Sequence, residues 1–269
     1  MSAAAFSGAA VVTGASSGIG AAIARKIAAR RQRLVLVARS AATLDAEAAE
    51  WRSTFGGEIE VLPLDLVRPG APADLFARTE ERGLAVDLLV NAAGFGWNGP
   101  QREMDTARLR DLLRLNVLAT AELTHLFLGA MAARGRGEIL NVASTAGFYP
   151  VPFFAAYGAS KAFLVSFTHA LHEEARKDGV TVTALCPGYT KTNFQAVAGM
   201  KGAEETPFPE MSAESVAEAG LRALAARKAV AVTHPLDRVW IAAGRLVPRT
   251  VPAKLGALFF SRTRSSGHP

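Results

Sequence analysis

The stretch Val11-Val12-Thr13-Gly14-Ala15-Ser16-Ser17-Gly18-Ile19-Gly20 decides the reading of this chain. It closes a short apolar run, Ala9–Thr13, of the kind that forms a strand buried on both faces. It then opens a helical pattern over about residues 18–31. Glycines in such a turn let the backbone bend tightly and approach a pyrophosphate, while the helix N-terminus offers free N–H groups to the anion. The spacing is G-x-x-x-G-x-G rather than G-x-G-x-x-G. A plain tight turn also accounts for a glycine-rich loop; the position between strand and helix is what favours a nucleotide loop.

Working outward, further apolar runs follow at Arg33–Ala38, Ile59–Pro63, Asp87–Val90, Glu138–Val142, Thr181–Leu185 and Ala229–Val232. Helical patterns lie between them at about 41–55, 72–82, 106–134, 155–178 and 213–226. Strand and helix in alternation predict one α/β domain, a Rossmann-like doubly wound parallel sheet of about seven strands with helices on both faces. The expected domain is 1–232, with 190–211 breaking the rhythm as a lid and 233–269 as a basic, apolar extension. A long irregular segment such as 190–211 often covers a site.

Composition excludes several classes. The chain has 269 residues, 50% hydrophobic and 20% charged, a globular balance with enough length for a full core. One cysteine, Cys186, leaves no intrachain disulfide or cysteine-cluster metal site and fits a reducing, cytoplasmic setting. No His/Asp/Glu pattern has metal-ligand spacing, so no metal is expected. The net charge of +6 is uneven: residues 221–269 hold nine Lys/Arg and one acid, Asp237, whereas the first 220 sum to −2. The basic character therefore belongs to the tail and does not suggest a nucleic-acid surface. Residues 1–24 and 139–160 are uncharged, but the glycines of the first and the Asn, Ser, Thr and Pro of the second argue against a signal peptide and a membrane span.

The end of the second strand reads Leu36-Val37-Ala38-Arg39-Ser40, with no acid before Asp45. NAD sites place an acid there for the ribose 2′-OH. Arg39 can instead fork to a 2′-phosphate, with Ser40 or Ser16 adding a hydroxyl, which points to NADP(H). A solvated arginine at a strand end is the plainer alternative.

Tyr157-Gly158-Ala159-Ser160-Lys161 places a phenol and an ammonium about one helical turn apart. The company around it matters more: Ser144 after the fifth run, Asn116 in the long helix, and Asn91-Ala92-Ala93-Gly94 after the fourth. With Thr13-Gly14-x-x-x-Gly18-Ile19-Gly20, Asp65-Leu66 and Pro187-Gly188, these elements resemble the short-chain dehydrogenase/reductase family in its short form, over roughly residues 7–232.

That resemblance implies a hydride transfer between NADP(H) and a carbonyl or secondary alcohol. Tyr157 would be the general acid or base, its phenol brought toward neutral pH by Lys161 and the oxidised nicotinamide. Ser144 would hydrogen-bond the carbonyl oxygen. Lys161 would also hold the ribose hydroxyls, and Asn116 a water linking Lys161 to solvent. Gly14, Ser16, Ser17, Gly18, Ile19 and Gly20 would cradle the phosphates. Asp65, beside Leu66, would meet the adenine; Asn91, Ala92 and Gly94 the adenine-ribose side; and Pro187, Gly188, Thr190 and Thr192 the carboxamide. Thr192 reads equally as a hydroxyl capping the next turn. The resemblance also implies a homodimer or homotetramer built on helices 106–134 and 155–178.

Aromatic and apolar residues follow the motifs: Phe95, Trp97, Phe148, Tyr149, Pro150, Val151, Phe153, Phe154, Tyr189, Phe194, Val197 and Met200. If they line the pocket, they suit a bulky or long-chain apolar carbonyl, a ketone or 3-oxoacyl compound; packing under the lid or at a subunit contact is the other reading. Cys186, His169 and His172 read as structural or surface groups, and Phe163 with Phe167 as core. The tail interleaves Trp240, Ile241, Leu246, Val247, Leu255, Leu258, Phe259 and Phe260 with arginines; it can lie on an anionic membrane, or dock on the domain or on a second subunit. Two rival functions stay open: a non-catalytic NADP(H)-binding regulator, and a lyase or epimerase on the same fold.

Overall fold

The computed structural model describes residues 8–200 and 209–260. Residues 201–208 of the expected lid, and Arg262 and Arg264 of the tail, lie outside them. Strands β1 (Ala9–Thr13), β2 (Leu34–Ala38), β3 (Ile59–Pro63), β4 (Val86–Asn91), β5 (Gly137–Val142) and β6 (Val180–Cys186) alternate with helices α1 (Gly18–Ala28), α2 (Ala41–Phe55), α3 (Ala71–Glu81), α4 (Thr106–Leu113), α5 (Thr120–Ala133) and α6 (Ala155–Ala175). Beyond them come β7 (Thr190–Lys191), α7 (Phe194–Val197), β8 (Met211–Ser212), α8 (Ala213–Ala225), β9 (Val230–Val232), α9 (Pro235–Gly244) and α10 (Thr250–Phe260).

Seven strands form one parallel sheet in the order β3-β2-β1-β4-β5-β6-β9. β7 and β8 make a separate short pair. β1, β4 and β6 are buried along their whole length, which explains their predominantly apolar character. One core layer packs α1, α2 and α8 on the sheet through Ile23, Ile27, Leu44, Trp51, Val216 and Leu224. The opposite layer includes Leu75, Leu123, Phe127 and Met131 from α3 and α5. Strand order reverses between β1 and β4, so a crevice opens where their C-terminal ends diverge.

The run expected as one helix over 106–134 is interrupted. A π-turn, Arg114–Ala119, separates α4 from α5 and carries the buried Asn116. Insertions of this kind re-aim side chains and are frequent at functional sites. Thr106–Ala133 as a whole is long and apolar enough, by length and composition, to cross a membrane, yet Leu112, Leu123, Phe127 and Met131 are buried within the protein.

Two helices beyond residue 232 have no counterpart in the sequence reading. Pro235 is the first residue of α9, and Pro252 lies in the first turn of α10, where a missing N–H costs no intrahelical bond. Each of the two helices thus carries a proline in its first turn. Phe163 and Phe167, expected in the core, instead stack on each other (5.2 Å between centroids), with Phe163 38% exposed. Their neighbours at three- and four-residue spacing, Ser160, Leu164 and Thr168, occupy the buried face of α6 in their place.

Candidate active site

The β1–α1 loop is shaped by backbone, not by side chains. Gly14 (φ 65°) and Gly18 (φ 56°) adopt the left-handed conformation, and a Cβ at Gly20 would strike the Gly14 carbonyl oxygen at 2.2 Å. Ser17 precedes α1 without a side-chain cap bond, so the first turn keeps N–H groups for an anion. Thr13 anchors the loop floor: its Oγ1 accepts from the N–H of Ala92 and of Ala93 and donates to the Val90 carbonyl.

Along the strand ends runs a cavity of about 1070 Å³. Gly14, Ser16, Ser17, Gly18, Ile19, Gly20, Arg39, Ser40, Asp65, Leu66, Ala92 and Gly94 line it, as do Ser144, Tyr157, Lys161, Pro187, Gly188, Thr190 and Thr192. Arg39 is exposed at its rim. Ser40 is committed in part to α2, where its Oγ accepts from the Thr43 N–H. Asp65 Oδ1 accepts from the Val67 N–H. Thr192 Oγ1 accepts from the Phe194 N–H, the capping alternative, while its methyl faces Gly18.

Two expected site residues do not line the cavity. Asn91 turns inward, donating to Thr124 Oγ1 (3.1 Å) and Asn141 Oδ1 (2.9 Å); Asn141 in turn donates to Thr168. This buried polar chain ties β4 and β5 to α5 and α6, and the Asn91 carboxamide is committed to it. Asn116 is also fully buried. Its Oδ1 accepts from the Phe95 N–H, and its Nδ2 donates to the Phe95 carbonyl and to Ser160 Oγ. The carboxamide therefore clamps the β4 exit beside the lysine.

Ser144, Tyr157 and Lys161 meet at one point. The Ser144 hydroxyl hydrogen-bonds the Tyr157 phenol and accepts from the Ala146 N–H. Lys161 Nζ donates to the Val142 carbonyl (2.8 Å) and lies 5.7 Å from the Tyr157 ring centroid. Burial pushes the Tyr157 phenol up to about 12, against the opposing Ser144 bond. It pushes Lys161 down to about 8. In the free protein burial therefore governs the phenol, and the one group that draws its pKa down is Ser144, not Lys161. Cys186 is buried, with its thiol also pushed up to about 12 by burial, and is no nucleophile. His172 Nδ1 pairs with the Val182 carbonyl and His169 is exposed; neither lines the cavity.

Past this point the wall is apolar: Phe95, Tyr149, Pro150, Val151, Phe154, Tyr189, Phe194, Val197 and Met200 line it. Trp97, Phe148 and Phe153 do not. Trp97 packs with Met104 and Leu112, Phe148 against Leu164 and Cys186, and the Phe153 carbonyl accepts from the Gly99 N–H. The outer wall is one the sequence reading missed: Asp237, Trp240, Ala243, Val247, Val251, Pro252 and Leu255 of the tail. The available signal was the lone acid Asp237 within an amphipathic, otherwise cationic segment.

Comparison with known proteins agrees with this arrangement. The family described as short chain dehydrogenase matches residues 8–201. The very-long-chain 3-oxoacyl-CoA reductase of Anas platyrhynchos is 34% identical over 207 residues, covering 75% of this chain; the chain spans 65% of that reductase's length. Ketoacyl reductase HetN of Nostoc sp. is 31% identical, with 90% of this chain and 85% of that protein covered. A solved short-chain dehydrogenase from Sphingobium yanoikuyae, in complex with NADPH, superposes with a TM-score of 0.80 at 30% identity, covering 97% of this chain and 98% of that one. With the glycine loop, the switch-point crevice and the Ser144–Tyr157–Lys161 cluster in one fold, the chain belongs to the short-chain dehydrogenase family.

Proposed function

We propose that this protein is an NADP(H)-dependent carbonyl oxidoreductase acting on an apolar ketone or 3-oxoacyl substrate. The observation that carries the reading is the convergence of Ser144, Tyr157 and Lys161 on a cavity continuous with the glycine loop. A dinucleotide fits that cavity: the Gly14 and Gly18 cradle and the open first turn of α1 suit a pyrophosphate, and Arg39 with Ser16 suits a 2′-phosphate. When bound, the nicotinamide supplies or takes up the hydride. Ser144 holds the carbonyl oxygen beside the phenol. Tyr157 Oη then gives its proton to that oxygen as the carbonyl is reduced. The Lys161 ammonium stabilises the phenolate left behind, worth about 1.4 kcal/mol for each tenfold in acidity. Asn116, through Phe95 and Ser160, keeps this geometry. The named relatives, a 3-oxoacyl-CoA reductase and a ketoacyl reductase, support the substrate class.

A panel of bulky ketones and 3-oxoacyl thioesters with NADPH tests this. Cofactor consumption with stoichiometric alcohol is expected; NADPH binding without turnover would favour a regulator, and redox-neutral product a lyase or epimerase.

Exposed apolar residues favour two contacts. Leu113, Leu118 and Phe163 on the helices 106–133 and α6 suit a homodimer or homotetramer contact, which light scattering reads. Val239, Trp240, Leu246, Leu255 and Leu258 are at least 63% exposed, among Arg238, Arg245, Arg249 and Lys254. Apolar groups ringed by cations suit the surface of an anionic membrane on the cytoplasmic side. Pelleting with phosphatidylserine vesicles, and its loss in Trp240→Ser/Leu246→Ser, is the check.

A further inference from the structure

The tail-built wall is apolar except at one place. Asp237, the third residue of α9, lines the cavity and is 8% exposed. Its Oδ2 is buried with no hydrogen-bond partner among the described residues. The carboxyl rests against the Pro187–Gly188 turn: a Cβ at Gly188 would lie 2.3 Å from Oδ2, so glycine alone permits the approach. Tyr149, whose phenol hydrogen-bonds the Thr145 side chain, is close enough for Asp237 to raise its pKa. His234 is the opposing charge; burial dominates and raises the Asp237 carboxyl.

An acid in the first turn of a helix can simply complement the helix dipole. Here that explanation falls short. His234 Nδ1 already accepts from the Leu236 N–H as the cap, and no N–H reaches Oδ2. A buried carboxylate oxygen without a donor is destabilising unless something supplies one. The carboxyl torsion is soft, so either oxygen can turn to a ligand in the cavity.

We infer that Asp237 is a specificity-determining residue that accepts a hydrogen bond from a hydroxyl or amide N–H on the non-reacting part of the substrate. The substrate class narrows accordingly to apolar carbonyl compounds that carry one such donor. This inference rests on the carbonyl-reductase reading and concerns a different part of the ligand from the reacting carbonyl.

The test uses matched pairs: a 3-oxoacyl N-acetylcysteamine thioester against its donor-free alkyl thioester, and a polycyclic ketone with and without a second hydroxyl. In wild type, kcat/KM favours the donor-bearing member by about tenfold or more. Asp237→Leu brings the ratio near one through KM, and Asp237→Asn, which keeps an acceptor and the shape, retains part of it. NADPH affinity, read by fluorescence titration, and the melting temperature of Asp237→Asn stay near wild type. An unchanged ratio in Asp237→Leu overturns the assignment, as does weakened NADPH binding with the ratio intact. If wild type reduces neither pair, the carbonyl-reductase reading fails; calorimetry of the same pairs with NADP+ present still reads the anchor, and equal affinities overturn it.

Discussion

The glycine-loop side of the cavity and its tail-built side differ in how their residues are gathered. On the first, each contact sits at the C-terminal end of a parallel strand: the loop after β1, Arg39 after β2, Asp65 after β3 and Gly94 after β4. Strand order alone brings them together. On the second, Val151 and Phe154 pack with Phe194, while Trp240 of α9 and Leu255 of α10 line the same cavity. The first arrangement is fixed by the sheet, the second by short helices laid on top of it. The chemistry stands between them, on Ser144 and α6.

If that division holds, substitutions should separate by kinetic parameter. Tyr157→Phe should lower kcat for ketone reduction by about 10³-fold with NADPH affinity nearly unchanged, since it removes only the proton donor. Retained activity would detach the phenol from the chemistry. Arg39→Asp should weaken NADPH relative to NADH by about 10²-fold in titration and leave the ketone KM alone; an unchanged ratio would make Arg39 a solvated strand-end residue. Trp240→Ala with Leu255→Ala should raise KM for a bulky ketone by about tenfold, as apolar surface that the ketone would cover on binding is removed, and spare NADPH binding. A matching loss in cofactor affinity would show that the two sides are one unit.

The smallest effect is in pH. Lys161, at about 8, carries its charge below that pH and loses it above. Tyr157, at about 12, stays protonated throughout. The reduction rate should therefore fall above about pH 8 on the lysine's account. Lys161→Arg, which keeps its proton, should move that fall upward while changing the rate at pH 7 least.

The same division governs what the chain discloses in its residues. The parallel strands are continuous apolar runs, so β1 to β6 and their order of function could be read locally. Ser144, Tyr157 and Lys161 share a short interval, and the last two a helical period. Asn91 and Asn116 were legible as motif members, but not as inward-facing clamps, because the π-turn and the Thr124–Asn141–Thr168 chain are tertiary arrangements. Trp97 and Phe148 resemble Phe95 and Tyr149 in type; only packing distinguishes wall from core. The two tail helices were not legible because a proline at a helix start, such as Pro235, is indistinguishable in composition from one in a loop.

Gly256 of α10 lies against Pro152, so that a Cβ there would come within 3.2 Å of the proline ring. The last helix is thereby seated beside the loop that leads into α6. Selection acting on this seam could retune what the enzyme accepts without disturbing how it turns over. Paralogues that trade terminal helices would keep a common engine and diverge in diet.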